Sequence, residues 1–200
     1  MSNMVEFWFE FASTYTYPAA MRIQELARTR GVELRWQPFL LGPIFREQGW
    51  SDSPFNIYPA KGRYMWRDLR RICDELGIEF TKPAQFPRNG LRAARVSCAF
   101  PGAAWVPSFV QNVYRANFAL DRDIADSGVL MQCLADLVDD PAAILGAAES
   151  DETKARLRQN SERAKALGIF GSPSFVVDGE LFWGNDRLEA AFDWTAKPQR

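Results

Sequence analysis

The sequence predicts an α/β chain: a β-α-β unit, a long block of helices, then a β-β-α unit, with both ends of the chain building one small sheet. Three observations predict it. Residues 5–11 (VEFWFEF) form an aromatic, partly alternating run that passes straight into a helical pattern. Between about 42 and 165 the apolar spacing stays helical, with no strand signal. Asp178-Gly179 then separates two short apolar runs, a strong hairpin signal.

Taken in order, the first helix is expected over about 15–30. Ser13 or Thr14 is placed to cap it, Pro18 falls in its first turn, Gly31 stops it, and Ala19, Ile23, Leu26 and Ala27 form its apolar stripe. Residues 33–40 (ELRWQPFL) read as the second strand. The segment 42–59 reads as loop, punctuated by Gly42, Pro43, Gly49, Pro54 and Pro59. A helix over about 60–76 follows, with Met65, Leu69, Ile72, Cys73 and Leu76 on one face and Gly77 at its end. After a loop at 80–90, helices are expected near 91–99, 103–119, 127–138 and 152–167, with Pro141 opening a short piece. Strands return at 174–178 and 180–184, and Asp186 is placed to cap a last helix over 187–194. The expected organisation is one sheet domain from 1–41 and 168–200, with an inserted helical domain from 42–167.

Composition narrows the function. The 200 residues are 47% hydrophobic, enough for a real core, and the formal net charge of -1 gives no bulk attraction to nucleic acid. No apolar run reaches the roughly 18–20 residues that cross a bilayer, and no signal peptide is read at the N-terminus. Cys73, Cys98 and Cys133 are scattered with no CxxC pair, which fits buried thiols in a cytoplasmic protein and neither a zinc ribbon nor a dithiol redox site. The chain has no histidine. That excludes a Ser-His-Asp triad, a Cys-His pair and a His-ligated metal. Residues 61–95 carry nine Lys/Arg against four acids, while 121–152 carry nine acids against Arg122. Solvated helix faces explain such runs. An anionic small substrate would also suit the basic one, with Lys61 and Arg88 best placed because they border loops.

Gly171-Ser172-Pro173-Ser174-Phe175 opens the third strand. A proline entering that strand, in this order of elements, resembles the thioredoxin layout, where the X-Pro bond is cis and the preceding residue's backbone meets a thiol ligand. The cis form costs little for proline alone. In that layout the turn after strand one faces the proline, and Ser13 occupies it. Ser13 serves there as a helix cap, or as a hydroxyl held at a helix N-terminus that favours negative charge. With no base beside it, serine is a poor nucleophile.

Four stretches, FEFASTYTYPAAMR (9–22), PAKGRYMWRDLRR (59–71), FPRNGLRAAR (86–95) and GIFGSPSFVVDGELFWGNDRLE (168–189), resemble the 2-hydroxychromene-2-carboxylate isomerases. These are relatives of kappa-class glutathione transferases and of the DsbA group. The likeness spans nearly the whole chain. It implies a thioredoxin-like fold, glutathione as cofactor and a homodimer. It also implies Ser13 on the glutathione sulfur, Ser172 and Pro173 along the tripeptide backbone, and Trp183, Gly184, Asn185 and Asp186 at its far end. Asn185 and Asp186 suit the ammonium and carboxylate found there. Lys61, Asn56 and Asn89 are implied for a small aromatic carboxylate substrate. The chain departs from the pattern at Thr14, where proline often follows the serine, and at Ser172, often valine, which makes the pocket wall more polar.

The activity implied is cis–trans isomerisation of a conjugated aromatic 2-oxo acid by reversible thiol addition. Ser13 and helix N–H groups lower the thiol pKa, while Lys61, Asn89 or backbone donors stabilise the enolate. A transferase that releases the adduct would use the same residues. A non-catalytic thioredoxin-like module would fail to bind glutathione. A dithiol oxidoreductase lacks a cysteine near Ser13. Six aromatics (Phe45, Trp50, Phe55, Tyr58, Tyr64, Trp66) are divided between pocket lining and core packing.

Overall fold

The computed structural model describes residues 3–196; the outermost residues of the expected sheet domain, 1–2 and 197–200, lie outside the described residues. Strand β1 (Met4–Phe9), helix α1 (Thr16–Arg30) and strand β2 (Glu33–Pro38) form the opening β-α-β unit. Strands β3 (Ser174–Val177) and β4 (Glu180–Trp183) and helix α10 (Leu188–Trp194) close the chain. The sheet has four strands in the order β2-β1-β3-β4. β1 runs parallel to β2 from the Met4–Glu33 pair to Phe9–Pro38, and antiparallel to β3 with Phe7 opposite Phe175. β3 and β4 join through Asp178 and Gly179, both at positive φ (50° and 85°), the backbone that a tight twisted hairpin requires.

The partial alternation in β1 has a direct physical meaning. Val5, Phe7 and Phe9 point into the main core, where Phe7 stacks on Phe175 with centroids 5.6 Å apart and meets Trp36 edge-on at 5.1 Å. Each such ring contributes about 1.5–3 kcal/mol by burial. Trp8 points the other way, into a smaller cluster with Phe39, Leu41, Ile44, Ala164, Ile169 and Val176. Glu6 shares that face and is buried, so it needs partners. Arg163 supplies one at 2.6 Å and also lies over the Trp8 ring, while Trp8 Nε1 donates to Glu6 at 3.1 Å.

Between β2 and β3 the described chain is helical: α2 (Leu41–Glu47), α3 (Pro54–Ile57), α4 (Pro59–Leu76), α5 (Leu91–Ala99), α6 (Val106–Phe118), α7 (Ser127–Leu134), α8 (Pro141–Ala147) and α9 (Asp151–Ala166). The 42–59 segment is therefore not simply loop. Proline opens α3, and the Ser53 hydroxyl caps it by accepting from Phe55 N–H, so proline-rich punctuation marked a helix start there. The α1 stripe is as expected, with Ala19, Ile23 and Ala27 buried and Leu26 packed against them. On α4, Met65, Leu69 and Cys73 are buried, but Leu76 is 39% exposed.

Two expected caps are corrected. Helix α1 starts beyond Tyr15 with no side-chain cap, because Ser13 and Thr14 spend their hydroxyls on Ser172 and Met65. Asp186 does not cap α10. It lies inside a short 3-10 turn, Asn185–Arg187, that precedes the helix, and pairs with Arg187 at 3.3 Å. Helix α9 does carry a working cap. Ser150 Oγ accepts from Thr153 N–H at 3.2 Å. Ser150→Ala is expected to cost about 1 kcal/mol, seen as a lower urea midpoint at unchanged slope. An unchanged midpoint would remove the cap from the account.

Candidate functional site

A cleft of about 1610 Å³ opens where the β1–α1 turn, the entry to β3, the 3-10 turn and the α2–α4 segment meet. Its floor is the corner after β1. Ser13 is half-buried there, and its hydroxyl donates to the Ser172 carbonyl at 2.7 Å. The Ser172-Pro173 bond is cis, as the sequence led us to expect. A second cis bond, Phe86-Pro87, was not anticipated. The Ser172 N–H makes no hydrogen bond among the described residues, so it is available to a ligand. The Ser172 hydroxyl is not: it accepts from Glu10 N–H at 3.1 Å and lies 2.7 Å from Thr16 Oγ1. The expectation of a more polar pocket wall at 172 is corrected, since that hydroxyl ties β3 to the β1–α1 corner.

Glu10 is the floor residue that the sequence reading passed over. Its carbonyl accepts from Ser13 N–H at 3.0 Å and from the Tyr114 hydroxyl at 2.9 Å. Its carboxylate accepts from Ala12 N–H at 3.0 Å. Burial raises its pKa to about 7, opposed only in part by the N–H groups of Ala12 and Ser13. The neutral form is thus favoured by folding. That contribution is complete below about pH 4.5 and is lost as the pH rises to about 7. Its sequence signal was a carboxylate three residues before Ser13, closing an apolar strand.

The opposite wall is built by β4 and the 3-10 turn. Gly184 N–H donates to the Pro173 carbonyl at 2.9 Å, which fixes the turn to the β3 entry. Trp183, Gly184, Asn185 and Asp186 line the cleft; Pro173 is buried behind it. A Cβ at Gly171 would stand 2.3 Å from Trp183 Nε1, so only glycine lets the indole close over this strand entry. Phe170 meets that indole edge-on at 4.8 Å. Asn185 is buried, and Arg22 donates to both its backbone and side-chain oxygens at 3.2 Å. This holds the Asn185 oxygen toward Arg22 and leaves its amide N–H₂ for the cleft. Arg22, itself paired with Glu189, was also missed; its signal was a lone charge inside the α1 stripe.

The third wall comes from the helices. Lys61 and Asn89 line the cleft. Lys61 forms no ion pair among the described residues and stands 4.8 Å over the Tyr58 ring. Asn89 Oδ1 accepts from Leu91 N–H, which leaves its N–H₂ free. Asn56 does not line the cleft. Its amide donates to Asp52 at 3.0 Å and to the Phe86 carbonyl at 3.3 Å, bracing the α3 segment against the loop before α5. Arg88 is corrected too. Its side chain is 5% exposed and held by Asp121 and by Asn117, a structural ion pair with a buried cation rather than a free cation for substrate. Of the six aromatics, Phe45, Trp50 and Phe55 line the cleft. Trp66 stacks on Phe80 and meets Phe86, whereas Tyr58 and Tyr64 are exposed. Tyr15, on the cleft wall, donates to Asp68 at 3.0 Å, with its hydroxyl pKa pushed up by burial and then by Asp68. The three cysteines are buried, and burial pushes their thiols up to about 12 for Cys73 and Cys98 and about 11 for Cys133. Among the described residues no cluster suits a metal ion, and no helix is long and apolar enough to cross a membrane.

The model of the DSBA-like thioredoxin domain matches residues 4–193. The chain belongs to the DSBA-like thioredoxin family. Within that family it is 28% identical over 191 residues to a 2-hydroxychromene-2-carboxylate isomerase of Sphingobium xenophagum, covering 94% of this chain and 96% of the relative. It is 25% identical over 213 residues to glutathione S-transferase kappa 2 of Caenorhabditis elegans, covering 98% and 93%. A solved 2-hydroxychromene-2-carboxylate isomerase shares the fold with a TM-score of 0.86 at 24% identity, over 96% of this chain and 93% of that one. The DsbM disulfide reductase of Pseudomonas aeruginosa, solved with GSH, shares it at 0.67 and 18% identity, over 96% of each chain. This DSBA-like chain therefore has the thioredoxin-like fold, with its helical region between β2 and β3, and is related to both isomerases and kappa transferases. Ser13 stands at the corner after β1, and the three thiols lie buried elsewhere.

Proposed function

We infer that the protein is a glutathione-dependent cis–trans isomerase of a conjugated aromatic 2-oxo acid, of the class formed when 2-hydroxychromene-2-carboxylate opens. The observation that carries this reading is the Ser13 hydroxyl, held at the start of α1 against the Ser172 backbone, on the floor of a cleft large enough for a tripeptide and an aromatic acid together. The donor set fits glutathione group by group. Ser13 suits the sulfur, and the unpartnered Ser172 N–H suits the cysteinyl peptide. The Asn185 N–H₂ suits a carboxylate, and the exposed Asp186 carboxylate suits the γ-glutamyl ammonium. Gly171 leaves room for Trp183 to close the wall beside Pro173, and Gly184 leaves room for the Asp186 carboxylate.

Bound glutathione would supply a thiol that adds to a conjugated double bond and leaves again after rotation. The chain's part is electrostatic. Ser13 turns its hydroxyl from the Ser172 carbonyl to the sulfur, and the N-terminal end of α1 lies at the same corner and favours the negative charge. Lys61 and the Asn89 amide meet the carboxylate and the oxygen that becomes negative when the double bond is lost. Leu41, Phe45, Trp50 and Phe55 on α2–α3 provide an apolar wall for an aromatic ring and exclude water.

The test is absorbance-followed isomerisation of 2-hydroxychromene-2-carboxylate with and without glutathione. Acceleration that requires glutathione supports the reading. Glutathione binding without acceleration would favour the second reading, a kappa-type transferase, which the Caenorhabditis elegans relative recommends and which product analysis separates. Absence of binding would leave a thioredoxin-like module without this chemistry. We extend the same reading to the assembly, a homodimer in the cytoplasm, and to its division into a sheet domain and an inserted helical domain.

A further inference from the structure

We propose that Glu10 is the group that takes the thiol proton when glutathione binds, so that the cleft floor carries one negative charge and not two. The proposal rests on the glutathione reading above. Its geometric basis is that Glu10 is the hub of the corner that holds Ser13. Its N–H is bound by Ser172 Oγ, its carbonyl by Ser13 N–H and the Tyr114 hydroxyl, and its carboxylate by Ala12 N–H, next to Ser13 in the chain. The N–H groups of Ala12 and Ser13 both act on that carboxylate, which places it beside the Ser13 corner, and a carboxylate with its four lone-pair sites still has room for a proton.

The surroundings favour that uptake. Among the described residues Glu10 forms no ion pair, although its neighbours include both signs. Tyr114 faces it from α6 and donates to its carbonyl, the Ser13 N–H acts on its carboxylate beside that of Ala12, and Tyr15, Lys61, Asp68, Arg88, Asp186 and Arg187 line the same cleft. Arg88 is held by Asp121, Arg187 pairs with Asp186 and Asp68 takes the Tyr15 hydroxyl, while Lys61 stands over the Tyr58 ring, and none of them pairs with Glu10. Burial accordingly holds the Glu10 carboxyl near neutrality, at about 7. A thiolate arriving beside it adds a like charge, which raises its proton affinity further. The step balances as one S–H bond broken and one carboxyl O–H bond made, with no net charge entering the cleft. A purely structural Glu10, bonding Ala12 N–H, would be served as well by glutamine.

Glu10→Gln keeps the carbonyl acceptor for Ala12 and removes the proton acceptor. The test is proton release on glutathione binding, measured by calorimetry in two buffers of different ionisation enthalpy. The pH is set near 8, above the Glu10 titration and below that of a free thiol at roughly 8.5. Wild type is expected to release close to zero protons per glutathione, and Glu10→Gln about one. Equal release by the two proteins would overturn the proposal. A second measurement needs no variant. Isotope-edited infrared spectra of wild type at the same pH should gain a protonated glutamic acid carbonyl band when glutathione is added, and no such band would overturn it as well. Absence of any binding heat in wild type would instead refute the glutathione reading itself.

Discussion

Ser13→Ala is expected to lower kcat/KM for glutathione-dependent isomerisation about 10²–10³-fold, the usual effect of removing one preorganised donor from a developing negative charge. The protein should remain folded. Ser13 caps no helix, and its one side-chain bond, to the Ser172 carbonyl, is worth about 1 kcal/mol net. The loss should therefore fall on the thiol and not on the scaffold. Ultraviolet thiolate absorbance of the bound cofactor should titrate at higher pH in the variant, because a donor to the charged form has gone. Turnover equal to wild type would remove Ser13 from the mechanism and leave it as the clasp between β1 and the β3 entry.

Asp186→Ala is expected to weaken glutathione binding about 10–100-fold, since hydrogen bonds to charged groups contribute about 1.5–3 kcal/mol and each tenfold in affinity is about 1.4 kcal/mol. Its side chain is 73% exposed and holds nothing except Arg187, so stability should barely change. The partner can be tested directly. A glutathione analogue lacking the α-amino group should bind wild type as poorly as glutathione binds Asp186→Ala, and should bind both proteins equally. If the analogue still loses affinity in the variant, Asp186 does not meet the ammonium. Asn185 should behave differently. Arg22 fixes its oxygen, so its amide addresses an acceptor, and analogues altered at the carboxylate are the ones it should distinguish.

How much of this was legible in the chain follows the range of the forces involved. Helix α5 was placed residue for residue at 91–99, and the hairpin at Asp178-Gly179 was read from two letters, because periodicity and turn chemistry are local. The 42–59 segment was misread for the same reason. Pro54 and Pro59 were taken as loop marks, yet each stands at the first turn of a helix, where proline is equally at home.

The candidate site divides along the same line. The sequence by itself determined the order of elements, the corner that presents Ser13, the proline at the β3 entry and the absence of any histidine to serve as base. Only the tertiary structure decided what those groups face. Ser13 and Ser172 are 159 residues apart, and their bond exists because β1 and β3 lie side by side. Arg88 looked free until the fold brought Asp121 and Asn117 to it and buried its guanidinium. Glu10 drew no notice in the chain, because its raised proton affinity comes from burial by residues distant in sequence. Desolvation and long-range pairing depend on neighbours that chain order does not name, which is why the corner could be read from the sequence and its electrostatics could not.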